Sequence, residues 1–205
     1  CPICFLPLPI DEMQTSFRYC CGKRICNGCF NGTIKERVNR SISNGVNYKV
    51  EDELKRAVGM CLFCRENVED SEEEEIKRLQ KLMERGNAEA FTEVGKFYSM
   101  GWKGLPQDWT KANELFLKAG DLGDGGGYFY LGSYYRGLYD NLGNAYENVR
   151  GVDQAVDKKK AKYFYELGAM NGHVYARHYL GIMEGQAGNH RRAYKHMVVA
   201  AKSGH

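Results

Sequence analysis

The sequence predicts two modules: a small cysteine-rich module, followed by an all-α solenoid of antiparallel helix pairs. All eight cysteines lie within residues 1–64, and acidic side chains crowd residues 69–75. From residue 86 onward, glycine, alanine and a polar residue recur at fixed offsets. We therefore divide the chain into a module at residues 1–68, an acidic linker and capping helix at 69–85, and repeats at 86–205.

Composition excludes several classes of function. The net charge of +3 is too small to indicate a nucleic-acid-binding protein. No apolar run approaches the roughly 18 residues that cross a bilayer, and no phosphate-binding loop, nucleophile elbow or zinc-protease motif is present. The five histidines have no ligand spacing and are interpreted as surface or packing residues.

Six of the cysteines form three CxxC pairs, at Cys1 and Cys4, Cys26 and Cys29, and Cys61 and Cys64, and Cys20 and Cys21 are adjacent. A CxxC pair lets two thiolates turn toward one ion at about 2.3 Å. Four disulfides in a secreted module are the alternative. The spacing favours zinc and therefore an intracellular protein, cytoplasmic or nuclear.

The order of these pairs resembles the RING-type zinc finger, in its all-cysteine variant. The resemblance covers residues 1–66 and implies a small zinc-stabilised α+β module with two interleaved zinc ions. If the family's ligand pairing holds for this sequence, the first zinc site consists of Cys1, Cys4, Cys26 and Cys29, and the second of Cys20, Cys21, Cys61 and Cys64. Such sites supply the stability that a module of this size cannot draw from its core.

The stretch "YCCGKRIC" departs from the family pattern in two ways. Lys23 stands where a histidine ligand is common, and an ammonium cannot bind a cation. Cys20 is then the replacement ligand, although the family usually separates such cysteines by one residue. Downstream, Phe30, Ile34, Val38 and Ile42 recur every four residues and predict the central helix of the finger.

Residues 71–85 predict an amphipathic helix, because Ser71 and Glu74 have the spacing of a capping box and Gly86 is a natural stop. Beyond it, three pairs of glycines lie nine residues apart: Gly86 and Gly95, Gly123 and Gly132, Gly172 and Gly181. A polar residue then precedes an alanine by four: Asp108 and Ala112, Asp157 and Ala161, Asn189 and Ala193. We interpret the polar residues as helix N-caps and the alanines as points of close helix contact.

The segment "FYSMGWKGLPQDWTKANELFLKAG" resembles a Sel-1-like repeat, a relative of the tetratricopeptide repeat. The resemblance implies three repeats, at about 86–122, 123–171 and 172–205, each a pair of antiparallel helices. We expect the natural protein to extend beyond both Cys1 and His205. The aromatic cluster at residues 128–135 has two interpretations, a peptide-binding groove or core packing, and packing is favoured.

The two resemblances imply a RING-type ubiquitin ligase, or a subunit of one, with a helical scaffold that recruits a protein substrate. Such a finger forms no covalent intermediate and grips a ubiquitin-conjugating enzyme. In the family, Ile3 and Arg65 match positions that contact this enzyme and ubiquitin, whereas Leu62 replaces a customary proline. The alternative is a non-catalytic zinc-binding adaptor that mediates protein–protein interactions.

Overall fold

The computed structural model describes residue 2 and residues 15–43, 61, 63–64, 71–137 and 157–203. The chain divides into two compact units, Cys1–Leu82 and Met83–His205, which are described separately below. Residues 44–60 of the cysteine-rich module, the start of the acidic linker at 69–70 and residues 138–156 of the second predicted repeat lie outside the described residues.

The first unit contains an antiparallel hairpin of β1 (Thr15–Arg18) and β2 (Lys23–Cys26). Helix α1 (Asn27–Ser43) follows β2 directly, and a helix in this stretch is what the four-residue spacing of apolar residues predicts. Ile25 is completely buried, whereas its strand neighbours are half-buried, as expected where alternate side chains face opposite sides of a strand. Among the described side chains of the hairpin and α1, Ile25 is the buried hydrophobic one.

Helix α2 (Glu72–Glu84) confirms the predicted amphipathic helix. Ser71 Oγ accepts a hydrogen bond from the Glu74 backbone N–H at 3.3 Å. Four glutamates fill the first turn, where the positive end of the helix dipole stabilises them. Ile76, Leu79 and Leu82 form its buried face. Gly86 follows with a φ of +75°, a conformation that L side chains rarely adopt.

The second unit is a row of antiparallel helix pairs. Within the described residues its helices are α3 (Ala88–Met100), α4 (Trp109–Asp121), α5 (Gly125–Tyr135), α6 (Lys158–Met170), α7 (Val174–Gln186) and α8 (His190–Lys202). Helices α3, α5 and α7 are the first helices of the three repeats, and α4, α6 and α8 are the second helices. Among the residues that the structure describes, no helix combines the length and apolar composition that crossing a bilayer demands.

One contact pairs the two helices of each repeat. Gly95 of α3 lies beneath the ring of Phe116 on α4, so that a Cβ on this glycine would approach the ring to 2.6 Å. Gly132 of α5 lies in the same way beneath Tyr165 of α6, also at 2.6 Å. In the third repeat, Met197 covers Gly181 at 3.0 Å. The recurring helix glycines therefore exist because the large side chain opposite occupies the space of a Cβ.

The second helices begin where the polar residues predict. Asp108 accepts from Lys111 N, and Asp157 accepts from Lys159 N and Lys160 N. Asn189 is at the N-cap of α8 but makes no side-chain cap bond, so the prediction is wrong in that detail. Its amide instead donates to Glu184 Oε2 at 2.8 Å.

The first helices carry N-caps that the glycine and alanine spacing did not predict. Gly86, Gly123 and Gly172 all have positive φ values, of 75°, 98° and 81°. The residue after each glycine caps the following helix: Asn87, Asp124 and His173 accept from backbone N–H groups of the first turn. A polar side chain directly after each repeat-starting glycine is the signal that could have revealed this.

The third repeat replaces an aromatic contact by an ion pair whose carboxylate is buried. In repeats one and two, a tyrosine three residues after the helix glycine lies under a lysine, with Lys111 over Tyr98 and Lys160 over Tyr135. Glu184 has this position in α7, where it is buried and accepts from Lys162 Nζ at 2.6 Å. Because Lys162 belongs to α6, this carboxylate connects repeat two to repeat three.

The aromatic cluster at residues 128–135 is mainly packing. Tyr128 belongs to the core cluster around Phe116, and Phe129 packs against the cluster around Tyr165. Tyr130 stacks on Phe116 with ring centroids 5.0 Å apart. These contacts favour the packing interpretation over a peptide groove.

We predict that Gly132→Ala destabilises the array, because the new methyl group must displace the Tyr165 ring. Overpacking of this kind costs about 1–3 kcal/mol of unfolding free energy. The matched control is Gly185→Ala, whose Cβ would meet only Ala193 Cβ at an ordinary 3.7 Å. That change should be neutral or stabilising by up to about 1 kcal/mol, because alanine is the better helix former. Urea unfolding, monitored by the helical circular dichroism signal, measures the unfolding free energy of both variants. Equal changes in the two would disprove the ring–glycine constraint.

We predict that Glu184→Gln destabilises the array by about 1.5–3 kcal/mol at neutral pH, the usual contribution of hydrogen bonds to a charged group. The hydrogen bond from Lys162, opposed by burial and assisted by Asn189, lowers the pKa of Glu184 below its ordinary value. A lowered pKa stabilises the fold while the carboxyl is ionised, and this contribution is lost as pH falls through that pKa. The difference in unfolding free energy between wild type and variant, measured by urea unfolding at a series of pH values, should therefore shrink only in the acid range. The control is Glu166→Gln, a change at an exposed residue of α6.

Candidate metal centre

The turn between β1 and β2 presents the two adjacent cysteines. The Gly22 and Cys21 N–H groups both donate to the Arg18 carbonyl, at 2.8 and 3.2 Å, and Gly22 has a φ of +66°. Successive side chains on a regular strand point to opposite faces, so neighbouring residues of a strand cannot share a ligand site. The tight turn removes this restriction and lets Cys20 and Cys21 face the same point.

Cys61 and Cys64 complete a cluster with this turn. The four Sγ atoms of Cys20, Cys21, Cys61 and Cys64 all lie within 4.8 Å of one another. Cys21 Sγ and Cys61 Sγ are 3.7 Å apart, and no disulfide joins any of the four. A tetrahedral site with metal–sulfur bonds of 2.3 Å has sulfur–sulfur edges of about 3.8 Å. The cluster therefore has the composition and nearly the dimensions of a four-thiolate site.

The protonation of the cluster is uneven. Burial raises the pKa of Cys61, but N–H groups of Cys64 and Phe63 that donate to its sulfur outweigh this and bring the pKa to about 6. Burial, with the hydrogen bonds to Cys64 and Cys61, raises the pKa of Cys20 far above its ordinary value. Burial also raises the pKa of Cys21 to about 11, although the Lys23 N–H opposes this.

The shifted pKa values of these cysteines make metal binding depend on pH. The lowered pKa of Cys61 favours its thiolate, whereas the raised pKa values of Cys20 and Cys21 favour their thiols. A divalent cation must displace these protons to use the sulfurs as ligands. The apparent affinity for the metal therefore falls as the pH is lowered.

Lys23 has a role other than that of a ligand. Its ammonium lies over the Phe63 ring, 4.8 Å from the centroid, and Phe63 directly precedes Cys64. A lysine above an aromatic face is a favourable contact of about 0.5–1 kcal/mol at an exposed site. Lys23 thus connects the hairpin to the segment of Cys61 and Cys64, a contact that residue spacing alone could not reveal.

The remaining predicted site residues are only partly described. Cys26 ends β2 and Cys29 lies in the first turn of α1, and both are half-buried. Their proposed partners Cys1 and Cys4 lie outside the described residues, as do Ile3, Leu62 and Arg65. The first metal site and the three partner-binding residues therefore stay predictions. For the second metal site, the structure brings all four predicted cysteines together.

Comparison with known proteins identifies the helical part. No family model matches the chain. The chain superposes on a Sel1 repeat protein from Oxalobacter formigenes with a TM-score of 0.54 at 23% identity, covering 77% of this chain and 62% of that one. The second unit therefore has the fold of Sel1-like repeats.

Two plant proteins of similar sequence carry a functional description. Over 64 residues, 31% of this chain, it is 41% identical to the ERAD-associated E3 ubiquitin-protein ligase component HRD3A of Arabidopsis thaliana. Over 112 residues, 55% of this chain, it is 31% identical to the component HRD3B of the same plant. The matched segments span only 9% and 15% of those relatives.

We predict that the full chain binds two zinc ions and that single cysteine changes remove them in a fixed pattern. Cys21→Ser and Cys64→Ser should each lose one ion, and the double variant should lose the same one, because both sulfurs belong to one cluster. Cys29→Ser should lose the other ion, so that Cys21→Ser with Cys29→Ser loses both. Metal analysis of the purified proteins measures this. Retention of both ions by Cys21→Ser would disprove the adjacent-ligand site.

Proposed function

We propose that this chain belongs to the ubiquitin-ligation machinery, as a RING-type ligase or ligase subunit whose Sel1-like array recruits a protein substrate. The observation that carries this proposal is the four-cysteine cluster of Cys20, Cys21, Cys61 and Cys64. It joins a hairpin turn to a CxxC pair 40 residues later, the long-range connection that the RING resemblance implies for its second zinc.

The similarity to two components of a ubiquitin ligase supports the same assignment. Both relatives bear that description, and the array has the repeat fold that this chain shares with a bacterial Sel1 protein. Stacked helix pairs expose long surfaces and act mostly in protein binding. The array is therefore the part that we assign to substrate or client recruitment.

Catalysis in this proposal is catalysis by positioning. The finger holds a ubiquitin-conjugating enzyme so that its thioester-linked ubiquitin meets an amine in a reactive pose. Ile3 supplies an aliphatic contact to that enzyme, and the planar guanidinium of Arg65 bridges carbonyl groups on the enzyme and on ubiquitin. The thiolates need a reducing compartment, the cytoplasm or the nucleus, and this location is part of the proposal.

A non-catalytic adaptor is the second candidate. Leu62 stands where the RING pattern usually has a proline that shapes the contact loop. The plant relatives are described as components of a ligase, which does not require that they transfer ubiquitin themselves. In this version zinc only stabilises the module, and both units bind proteins.

We predict that the purified chain promotes discharge of ubiquitin from at least one member of a panel of conjugating enzymes. Ile3→Ala should abolish binding of that enzyme while the zinc content is unchanged. Arg65→Ala should leave binding nearly intact yet slow discharge about tenfold or more, because positioning is lost. The matched control is Arg85→Ala, an exposed arginine after α2. Absence of transfer with every conjugating enzyme would favour the adaptor.

A further inference from the structure

The segments that connect the two helices of each repeat lie at one edge of the array. Because successive helices are antiparallel, the first helices all end at this edge and the second helices all begin there. Contacts join these ends: Trp109 at the start of α4 packs on Tyr134 near the end of α5, and Lys162 of α6 binds Glu184 of α7. Within the described part of the chain, this loop edge consists of residues 101–111, 157–160 and 187–192.

The loop edge is basic. Its two acidic residues, Asp108 and Asp157, are N-caps that accept hydrogen bonds from backbone N–H groups. By contrast, the turns between repeats at the opposite edge, residues 121–125 and 170–174, contain two aspartates and no lysine or arginine. Seven cations lie at the loop edge: Lys103, Lys111, Lys158, Lys159, Lys160, Arg191 and Arg192.

Three of these cations are available to a partner. Lys111 and Lys160 lie over tyrosine rings of their own repeats. The side chains of Lys158, Lys159 and Arg191 are exposed and make no hydrogen bond, ion pair or ring contact among the described residues. Such a cluster of exposed cations attracts an anionic partner.

The charge of the edge exceeds what the neighbouring sequence can neutralise. Residues 138–156, which precede α6 and lie outside the described residues, contain three acidic residues and one arginine. Added to the seven cations and two aspartates of the loop edge, they still leave a net positive charge.

The first loop also exposes a tryptophan. Trp102 is 49% exposed. Its N–H donates to the Phe97 carbonyl at 3.0 Å, and its own carbonyl accepts from the Leu105 N–H at 3.1 Å. The next residue, Lys103, has a φ of +57°, which is uncommon for a residue other than glycine. The backbone of this loop therefore holds the indole at the surface, beside the basic edge.

We propose that the loop edge binds the surface of a bilayer that contains anionic phospholipids. Lysine and arginine clusters are attracted to the negative surface potential of such membranes. An indole combines an apolar body with a polar N–H and is favoured at the level of the lipid headgroups. Trp102 therefore lies among the headgroups while Lys158, Lys159 and Arg191 contact their phosphates and carboxylates.

An acidic polypeptide is the competing occupant of this edge. It would pair with the cations, but these are distributed over the beginnings of three successive second helices, which suits an extended surface better than a single strand. The exposed indole beside them also favours a partner with an apolar layer beneath its charges. Binding to a membrane surface goes beyond the proposed ligase function and does not depend on it.

Cosedimentation of the full chain with vesicles tests the electrostatic part of the proposal. The chain should bind vesicles of phosphatidylcholine and phosphatidylserine in about a 3:1 ratio but not vesicles of phosphatidylcholine alone, and high salt should weaken the binding. A variant with Lys158→Gln, Lys159→Gln and Arg191→Gln should bind about a hundredfold more weakly, because each cation near an anionic surface contributes about fivefold.

The matched control is a variant with Lys118→Gln, Lys195→Gln and Lys202→Gln, which loses the same charge at three exposed positions outside the loop edge. It should retain vesicle binding, and both variants should keep the helical circular dichroism signal. Equal weakening by the two variants would show that binding follows net charge alone and would overturn the proposal. Absence of binding to the mixed vesicles would overturn it as well.

Tryptophan fluorescence tests for contact with the bilayer itself. Of the two tryptophans in the chain, Trp109 packs against Tyr134, whereas Trp102 is exposed. The emission should move to shorter wavelength when the mixed vesicles are added, and Trp102→Ala should abolish this shift. Binding of a polyglutamate peptide, without any shift on the vesicles, would assign the edge to acidic polypeptides and overturn the proposal. Because no ubiquitin component is present, these results are independent of the proposed ligase function.

Discussion

The array depends on one steric constraint: a helix glycine beneath a large side chain of the partner helix. A glycine in a helix interior costs about 1 kcal/mol relative to alanine. Burial of an aromatic side chain gains about 1.5–3 kcal/mol, so Gly95 with Phe116 and Gly132 with Tyr165 both leave a net gain. Because the ring touches the backbone of the facing helix, the contact also fixes the separation and register of the pair.

The third repeat shows which parts of this arrangement can vary. Met197 replaces the ring over Gly181, and the flexible thioether fills the same space less rigidly. Glu184 replaces the tyrosine that a lysine covers in the other repeats, and binds Lys162 of the preceding repeat. The backbone bond from each second-helix N-cap to the first helix is nevertheless kept, with Asn189 N donating to the Glu184 carbonyl at 2.8 Å.

The repeat offsets were sufficient to predict the helix pairs, because a fixed spacing of glycine and alanine directly reflects which positions must be small. They could not predict the side-chain roles that depend on distant neighbours. Asn189 has the residue type and place of a cap, but a carboxylate brought near by folding takes its amide. Likewise, the adjacent Cys20 and Cys21 can face one site because the backbone turns at Gly22, a conformation that the residue spacing does not show. Cys1 and Cys4 lie outside the described residues, so the first site has no such geometric support.

The two units are stabilised by different interactions, a cysteine cluster in the first and helix packing in the second. In the first unit, four cysteine sulfurs within 4.8 Å of one another bring the hairpin turn next to the pair Cys61 and Cys64. Because the pKa values of Cys20 and Cys21 are raised, a cation is needed to keep all four sulfurs as thiolates. The array instead gains stability repeat by repeat from short-range fit between neighbouring helices. The array is therefore stabilised by packing between helices that are neighbours in the sequence, whereas the cysteine cluster joins residues 40 positions apart.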